Sequence, residues 1–234
     1  MNSSSLKKFT SLLESVDLPK YRELYRPIKI VEMDLPKQIQ AIALLYEVYW
    51  DKRQMISFED FYKQYLKRYR GAIEEFRQRT TMCKDCFYRG LPARIYRTWA
   101  SIITQIHGGY VAESVFGSDT VSMSAELDHN GADFQVNYKG IVLNYQVKKK
   151  TFSREVRKEK KVSKKISGKF LDILYEVPND SYFKNPKKKN GEYRLPYMRF
   201  RDNPELERLP NGFVVFTKDV FLSIKKKIDS GLSI

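Results

Sequence analysis

The sequence is poor in the residues that build metal clusters and disulfide frameworks. Its 234 residues include two cysteines and two histidines. The cysteines, Cys83 and Cys86, lie in "CKDC", and their spacing to His107 and His129 follows no zinc-finger pattern. We therefore expect ordinary reduced thiols here rather than a structural zinc site.

Long hydrophobic runs are also missing. The longest apolar stretches, such as "AIALLY" and "GFVVF", are far shorter than the roughly 20 residues that cross a bilayer. The initial "MNSSSLKKFTSLLESV" lacks the apolar core of a secretory signal. Because 42% of the residues are hydrophobic and 14% aromatic, a packed core is possible, and the default expectation is a cytoplasmic globular protein.

Acidic residues are strongly outnumbered. The 43 Lys and Arg against 28 Asp and Glu give a net charge of +15. Between Lys148 and Lys169, eleven basic residues against two glutamates give +9, and a second run, "KNPKKKNGEYR", spans Lys184 to Arg194. Such clusters bind polyanions by counterion release, and nucleic acid is the commonest partner. A merely solubilising surface is the alternative, whereas the runs lack the apolar face of a membrane-surface helix.

The order of hydrophobic patterns predicts an α/β fold. We expect an N-terminal helical region over 1–90 and an α/β core over 91–234, packed as one compact unit. Asp34 is a candidate N-cap in the first region, and Ser57 resembles the start of a capping box. From Ala93 the order is helix, three strands, basic connection, strand, insertion, strand and helix. The strands are expected in "TVSMSAEL", the hairpin below, "FLDILYEV" and "GFVVF", and together indicate a mixed sheet flanked by helices.

The stretch "GADFQVNYKGIVLNYQVKKK" predicts a β-hairpin. A two-residue turn at Lys139-Gly140 provides the positive φ that such turns need. One face then carries only apolar pairs, and must cover a core. Those pairs are Phe134 with Tyr145, Val136 with Leu143, and Tyr138 with Ile141. On the opposite face Asp133 meets Gln146, and Lys148 follows two residues later.

The polar face of this hairpin has the composition of a phosphodiesterase site. Asp133, Gln146 and Lys148 can converge, because opposed Cβ atoms in a sheet lie about 5 Å apart. Carboxylate and amide oxygens bind hard cations such as Mg²⁺, and a lysine can stabilise charge on a phosphate or orient a water. One glutamine makes a poor cation ligand, so we expect further acids nearby. Glu113, in the preceding helix, and Asp128, on the loop or strand edge entering the hairpin, are the candidates. An ordinary solvated face is the alternative.

These residues resemble the PD-(D/E)XK nuclease fold. A helix with a glutamate, a strand, "GADFQV", a turn and "YQVKKK" follow the order of that motif. Two departures stand out. Ala132-Asp133 replaces the Pro-Asp pair, and Gln146-Val147-Lys148 replaces Glu-x-Lys, which changes the expected metal ligands more than the expected activity.

Longer stretches look like the TaqI group of type II restriction endonucleases. They are "YRPIKIVEMDLP", "ARIYRTWASIITQIHGGYVAE", "MSAELD" with "GADF", and "NGFVVFT", within about Tyr25 to Thr217. The resemblance implies that Asp128, Asp133 and Lys148 are catalytic, in a Mg²⁺-dependent enzyme. It also implies a homodimer that cuts the palindrome TCGA after T and leaves two-base 5′ overhangs. A cognate DNA methyltransferase is implied in the same cell.

The basic segments at about 150–169 and 184–201 are expected to contact double-stranded DNA. A palindrome presents one pattern twice, which suits two identical subunits. Two alternatives stay open: a non-catalytic DNA-binding protein, and a structure-selective repair or junction nuclease of the same fold. The predicted DNA-binding residues are Lys149, Lys150, Arg154, Arg157, Lys158, Lys160, Lys161, Lys164, Lys165, Lys187, Lys188, Lys189 and Arg194.

Overall fold

The structure is a computed structural model. It describes three stretches of the chain, namely 3–28, 35–149 and 166–233. The chain divides into two compact units, one formed by Lys7–Ile106 and the other by Met1–Leu6 with His107–Ile234. Within the described stretches, no helix combines the length and the apolar character needed to cross a membrane.

The Lys7–Ile106 unit is helical. Ser57 begins α4 as predicted, because its Oγ accepts a hydrogen bond from the Asp60 N–H at 3.1 Å. The candidate N-cap Asp34 lies outside the described residues, and the helical pattern after it is divided among a 3₁₀ turn, a short α-helix and a π-helical segment. The elements are α1 (Ser3–Glu14), α2 (Leu18–Tyr25), the 3₁₀ turn Lys37–Ile39, α3 (Ile42–Leu45), the π-helical segment Tyr46–Asp51, α4 (Phe58–Arg79) and α5 (Lys84–Phe116), which continues past Ile106.

Aromatic side chains fill the core of this unit and satisfy their own polar atoms. Trp99, Tyr49 and Tyr65 are buried. The Trp99 Nε1–H donates to the Tyr49 hydroxyl at 2.9 Å, and the Tyr49 hydroxyl donates to the Ile56 carbonyl at 3.0 Å. The Tyr65 hydroxyl donates to the Ile39 carbonyl at 2.7 Å. Since buried hydroxyl and indole groups need such partners, these aromatic residues belong to the core rather than to a ligand site.

The second unit is built on a mixed four-stranded sheet, which confirms the predicted α/β class. The strands are ordered β1-β2-β3-β4, with β3 and β4 parallel and the other neighbours antiparallel. Their bounds are β1 (Val121–Ser122), β2 (Phe134–Tyr138), β3 (Ile141–Lys149) and β4 (Lys169–Tyr175).

The hairpin has the predicted register. Phe134 lies opposite Tyr145, and the turn residues Lys139 and Gly140 have φ of +50° and +79°. On the apolar face the rings of Phe134 and Tyr145 stack at 5.0 Å between centroids, and both contact Phe221 of α9 (Asp219–Asp229). Burial of this face fixes the register, since a slip of one residue would expose it.

Two predicted strands were wrong in part. "TVSMSAEL" forms only the two-residue β1, and the chain then enters α6 (Ala125–His129), because the Ser124 Oγ accepts from the Leu127 N–H at 3.1 Å and starts a helix. "GFVVF" contains β6 (Val214–Phe216), which pairs with β5 (Leu206–Arg208) in a separate two-stranded sheet.

The insertion between β4 and β5 forms a small aromatic layer. It contains α7 (Asp180–Lys184) and α8 (Leu195–Arg201). Phe200 of α8 packs edge-on against Phe183 at 5.1 Å, and Tyr193 stacks on Tyr197 at 5.6 Å. The basic insertion therefore has a packed interior of its own.

Gly168, just before β4, lies where the chain packs closely against the parallel strand β3. Its φ is +109°, and a Cβ there would lie 2.7 Å from Val142 Cγ1 and 2.9 Å from Asn144 Nδ2. We expect Gly168→Ala to lower the free energy of unfolding by about 3 kcal/mol, from backbone strain and overpacking together. Gly191→Ala is the control: its φ is +85° in open space, so only the backbone cost of about 1 kcal/mol should appear. Urea unfolding measures both, and equal losses would contradict the packing argument.

Candidate active site

Asp133 is anchored to the edge of the hairpin by two backbone contacts. Its N–H donates to the Tyr145 carbonyl at 2.8 Å, and its Oδ2 accepts from the Val147 N–H at 2.5 Å. The carboxylate is therefore held at a defined place just before β2, against the backbone of β3. Oδ1 is not used by these bonds.

Asp128 is brought to Asp133 by the short helix α6 rather than by a strand edge. The turn after α6 uses Gly131 with φ of +89°, and the Ala132 N–H donates back to the Leu127 carbonyl at 3.0 Å. The chain thereby folds back so that the carboxyl groups of Asp128 and Asp133 lie close enough for each to affect the pKa of the other. The two aspartates predicted to act together are adjacent in space.

The shared environment makes these acids hard to ionise. Burial is the largest cause raising the pKa of Asp133 to about 7, and the charge of Asp128 raises it further. The Val147 N–H and the positive charge of Lys148 act in the opposite direction. Burial also raises the pKa of Asp128. Two neighbouring carboxyl groups that are hard to charge are typical of functional sites, because a bound cation removes the repulsion.

Lys148 lies on the same face and is held by an acid that sequence reasoning missed. Its Nζ donates to Asp172 Oδ2 at 2.9 Å. The side chains of Lys148 and Asp172 are 34% and 42% exposed, so the pair contributes little stability and mainly orients the ammonium group. Because the positive charge of Lys148 lowers the pKa of Asp133, Lys148 also lies within electrostatic reach of Asp133.

The parallel register explains the position of Asp172. It is the partner of Gln146, so the position that departs from the Glu-x-Lys pattern has a carboxylate on the neighbouring strand. Neighbouring strands lie about 4.8 Å apart, which places Asp172 in the same row of side chains. The only sequence signal was an acid among the apolar residues that begin "FLDILYEV". The partner of this acid on β3 could not be predicted from the sequence, because the connection before β4 is long.

Further along the hairpin the polar face is structural. The Gln135 Nε2–H donates to Asn144 Oδ1 at 2.7 Å, and the buried Asn144 donates from Nδ2 to the Ser167 carbonyl at 2.9 Å. These bonds hold the chain that returns into β4. This part of the face therefore stabilises the sheet, and the candidate site lies at the end that carries Asp133 and Lys148.

The proposed acid Glu113 is buried in α5, at 8% exposure. Among the residues that the structure describes, no three Asp, Glu, His or Cys side chains form a group that could hold a metal ion. Glu113 is thus not gathered into such a trio with Asp128 and Asp133. Two carboxylates remain, and paired carboxylate oxygens fit the donor preference of a hard divalent cation that keeps several waters.

The predicted DNA contacts fall into two groups. Lys187, Lys188 and Lys189 are exposed on the insertion, with Lys187 Nζ 5.1 Å from the centre of the Tyr193 ring. Lys149 is exposed at the end of β3, and Arg194 caps α8. The remaining predicted contacts lie outside the described residues; these are Lys150, Arg154, Arg157, Lys158, Lys160, Lys161, Lys164 and Lys165.

The fold and site together define a class of protein. A mixed sheet flanked by helices, a hairpin that presents Asp133 and Lys148 on one face, and a strongly basic chain are the features of a nuclease-like α/β enzyme. No solved structure matched the chain, so the class rests on these features and on the sequence comparisons.

The sequence comparisons identify the family. The family described as TaqI restriction endonuclease matches residues 6–228. The type II restriction enzyme TaqI of Thermus aquaticus is 34% identical over 232 residues, which cover 94% of this chain and 87% of that enzyme. The type II restriction enzyme TthHB8I of Thermus thermophilus is 35% identical over 224 residues, covering 90% and 83%. The chain belongs to the TaqI restriction endonuclease family, and it is a type II site-specific deoxyribonuclease.

Proposed function

We propose that this enzyme is a magnesium-dependent endonuclease that cleaves double-stranded DNA at the palindrome TCGA. The observation that carries the proposal is the adjacent pair Asp128 and Asp133 beside Lys148, on a chain with a net charge of +15. The target sequence is suggested by the family resemblance.

Asp128 and Asp133 are the residues that would hold the cation, with the Gln146 side chain on the same face. A bound magnesium ion would polarise the phosphoryl oxygen and favour ionisation of the two carboxyl groups. The Val147 N–H keeps one oxygen of Asp133 in place at 2.5 Å, so the carboxylate has little freedom to turn away. A rigid carboxylate costs no reorganisation when substrate arrives.

Lys148 stabilises the reaction electrostatically. Hydrolysis adds a water oxygen to the phosphorus while one P–O ester bond breaks, and negative charge builds on the phosphoryl oxygens and on the leaving oxygen. The ammonium group of Lys148 offers three donors beside that charge. Asp172, at 2.9 Å, keeps the ammonium on the polar face before DNA binds. Asp172 is therefore a positioning residue.

A homodimer suits this activity. A palindrome shows the same donors and acceptors twice about a two-fold axis, so two identical subunits with an isologous interface can cut both strands. An enzyme that cuts so short a target in the cytoplasm would also cut host DNA, which is why a cognate methyltransferase is proposed in the same cell.

Plasmid cleavage tests the proposal. We expect discrete linear fragments with Mg²⁺ and intact plasmid with EDTA, and sequencing of the fragment ends should place every cut within TCGA. Plasmid methylated at the mapped site should resist cleavage. Discrete fragments that end at another sequence would overturn the proposed target but leave the nuclease site standing.

The two alternatives give different results in the same assay. A DNA-binding protein without catalysis would give only a salt-sensitive mobility shift, with or without Mg²⁺. A structure-selective nuclease would leave the intact plasmid uncut and cleave branched or nicked duplexes. Neither outcome is compatible with the proposed function.

A further inference from the structure

A polar cavity continues the active-site face along β4. Leu174 is the partner of Lys148 in the parallel register, and its side chain is exposed. Leu174 and Glu176 line a cavity of about 180 Å³, whose other side is formed by Arg199, Phe200 and Asn203 of the insertion. The cavity therefore begins directly beside the catalytic lysine.

Two charged side chains, Glu176 and Arg199, line this cavity. The Glu176 Oε1 atom is shielded from solvent and, among the described residues, accepts no hydrogen bond. Arg199 is exposed and makes no ion pair within the described part of the chain. A shielded carboxylate oxygen without a donor costs stability, so its presence requires an explanation.

Glu176 is an acidic residue beside a strongly basic segment of the chain. Residues 184–201 contain seven Lys or Arg and one glutamate, a net charge of +6, and Arg201 lies 5.1 Å from the Tyr193 ring centre. This surface suits phosphate contacts, and a carboxylate beside it repels phosphates. An acid on a DNA-binding surface is favourable where it accepts a hydrogen bond from a base, and cytosine N4 is the usual donor.

The distances along the strand agree with a short target. Glu176 lies four residues beyond Asp172, and a strand rises about 3.3 Å per residue, which gives about 13 Å. Successive base pairs are about 3.4 Å apart, so along a duplex parallel to β4 this distance corresponds to about four base-pair steps. That span is the size of a four-base-pair site.

We propose that this cavity reads one G·C base pair of the target from the major groove. Arg199 donates to the O6 and N7 atoms of guanine, and Glu176 accepts from the N4 amino group of the paired cytosine. The two side chains together match the whole major-groove pattern of one G·C pair. This inference rests on the proposed function, because it requires a duplex bound at the Asp133–Lys148 face.

The test measures single-turnover cleavage of duplexes that carry the mapped site or a change at one base pair. We expect Glu176→Ala to reduce discrimination at one G·C position by about 10- to 100-fold, while discrimination at the A·T positions is unchanged. Glu192→Ala is the matched control, since Glu192 pairs with Lys188 at 3.0 Å outside the cavity. It should leave every ratio unchanged.

Arg199→Lys provides a second, independent variant. It keeps the positive charge but loses the planar fork, so it should relax the same G·C position. A folding defect lowers the cleavage rate on all duplexes equally and does not alter the ratios between them. If Glu176→Ala cleaves none of the duplexes, the ratios measured with Arg199→Lys test the inference. If the cleavage-rate ratios between duplexes are unchanged in an active Glu176→Ala variant, or in Arg199→Lys, this inference is overturned and the proposed function still stands. If the wild-type enzyme makes no discrete cuts, the proposed function falls and this inference falls with it.

Discussion

Replacing Lys148 with alanine should lower the single-turnover rate of DNA cleavage at least about a thousandfold. The ammonium group is held by Asp172 on the polar face, and its positive charge acts on Asp133. Loss of one preorganised group of this kind typically costs about 10²–10³-fold, and loss of proton-transfer help about 10²–10⁴-fold. DNA affinity, measured by mobility shift without cleavage, should change little.

Lys149→Ala is the control for this experiment. Lys149 is the next residue of β3 and is exposed, and successive side chains of a strand point to opposite faces. Its removal should weaken DNA binding in a salt-dependent way and leave the single-turnover rate at saturating enzyme within about threefold of the parent, since one exposed phosphate contact acts on affinity. A Lys148→Ala enzyme that cuts as fast as the parent would remove Lys148 from the site.

Asp133→Asn should also reduce cleavage at least about a thousandfold. The amide oxygen of asparagine can still accept the Val147 N–H, so the local fold is preserved while one of the two carboxylates is lost. With half of the acid pair gone, cation affinity and charge stabilisation fall together. Asp119→Asn is the matched control: Asp119 is exposed with φ of +62°, a conformation that asparagine tolerates well. It should cut at the parent rate, and equal loss in both variants would contradict the assignment.

The raised pKa of Asp133 predicts a second effect of this variant, on how the unfolding free energy depends on pH. The pKa is about 7 in the folded protein against an ordinary value of 3.8, so between these pH values the folded chain holds more protons than the unfolded chain. The contribution of this group to the unfolding free energy therefore falls as pH rises through that window. In the absence of metal, Asp133→Asn should lose less stability between pH 5 and pH 8 than the parent does. Added Mg²⁺ should restore stability to the parent at pH 8, because the cation binds the ionised acids.

Local patterns were enough to predict the hairpin and its two faces. The alternation of Phe134, Val136 and Tyr138 with polar residues has the period of a strand, and Lys139-Gly140 supplies a turn with positive φ. Because the side-chain period is two, burying the apolar face fixes Asp133 and Lys148 on the other. The same spacing predicts Gln146 opposite Asp133. In the structure the strand pairing ends at Phe134 and Tyr145, and Asp133 is held instead by the Tyr145 carbonyl and the Val147 N–H.

The shape of the region around Asp128 could not be obtained in this way. "TVSMSAEL" alternates like a strand, but the Ser124 cap converts its second half to α6. The competing possibilities differ by a single side-chain hydrogen bond, worth about 1 kcal/mol. That small difference decides whether Asp128 meets Asp133 from a helix or from a strand.

The sequence by itself determined the hairpin, the basic character of the chain and the pairing of an aspartate with a lysine on one face. Only the tertiary structure decided that Asp172 holds Lys148 and that Glu176 and Arg199 line one cavity. The physical reason is range: hairpin partners are set by a two-residue turn, whereas the parallel pairing of β3 with β4 closes a long connection. At the start of β4, Gly168 packs closely against Val142 and Asn144 bonds to the Ser167 carbonyl, and no local periodicity reveals these contacts.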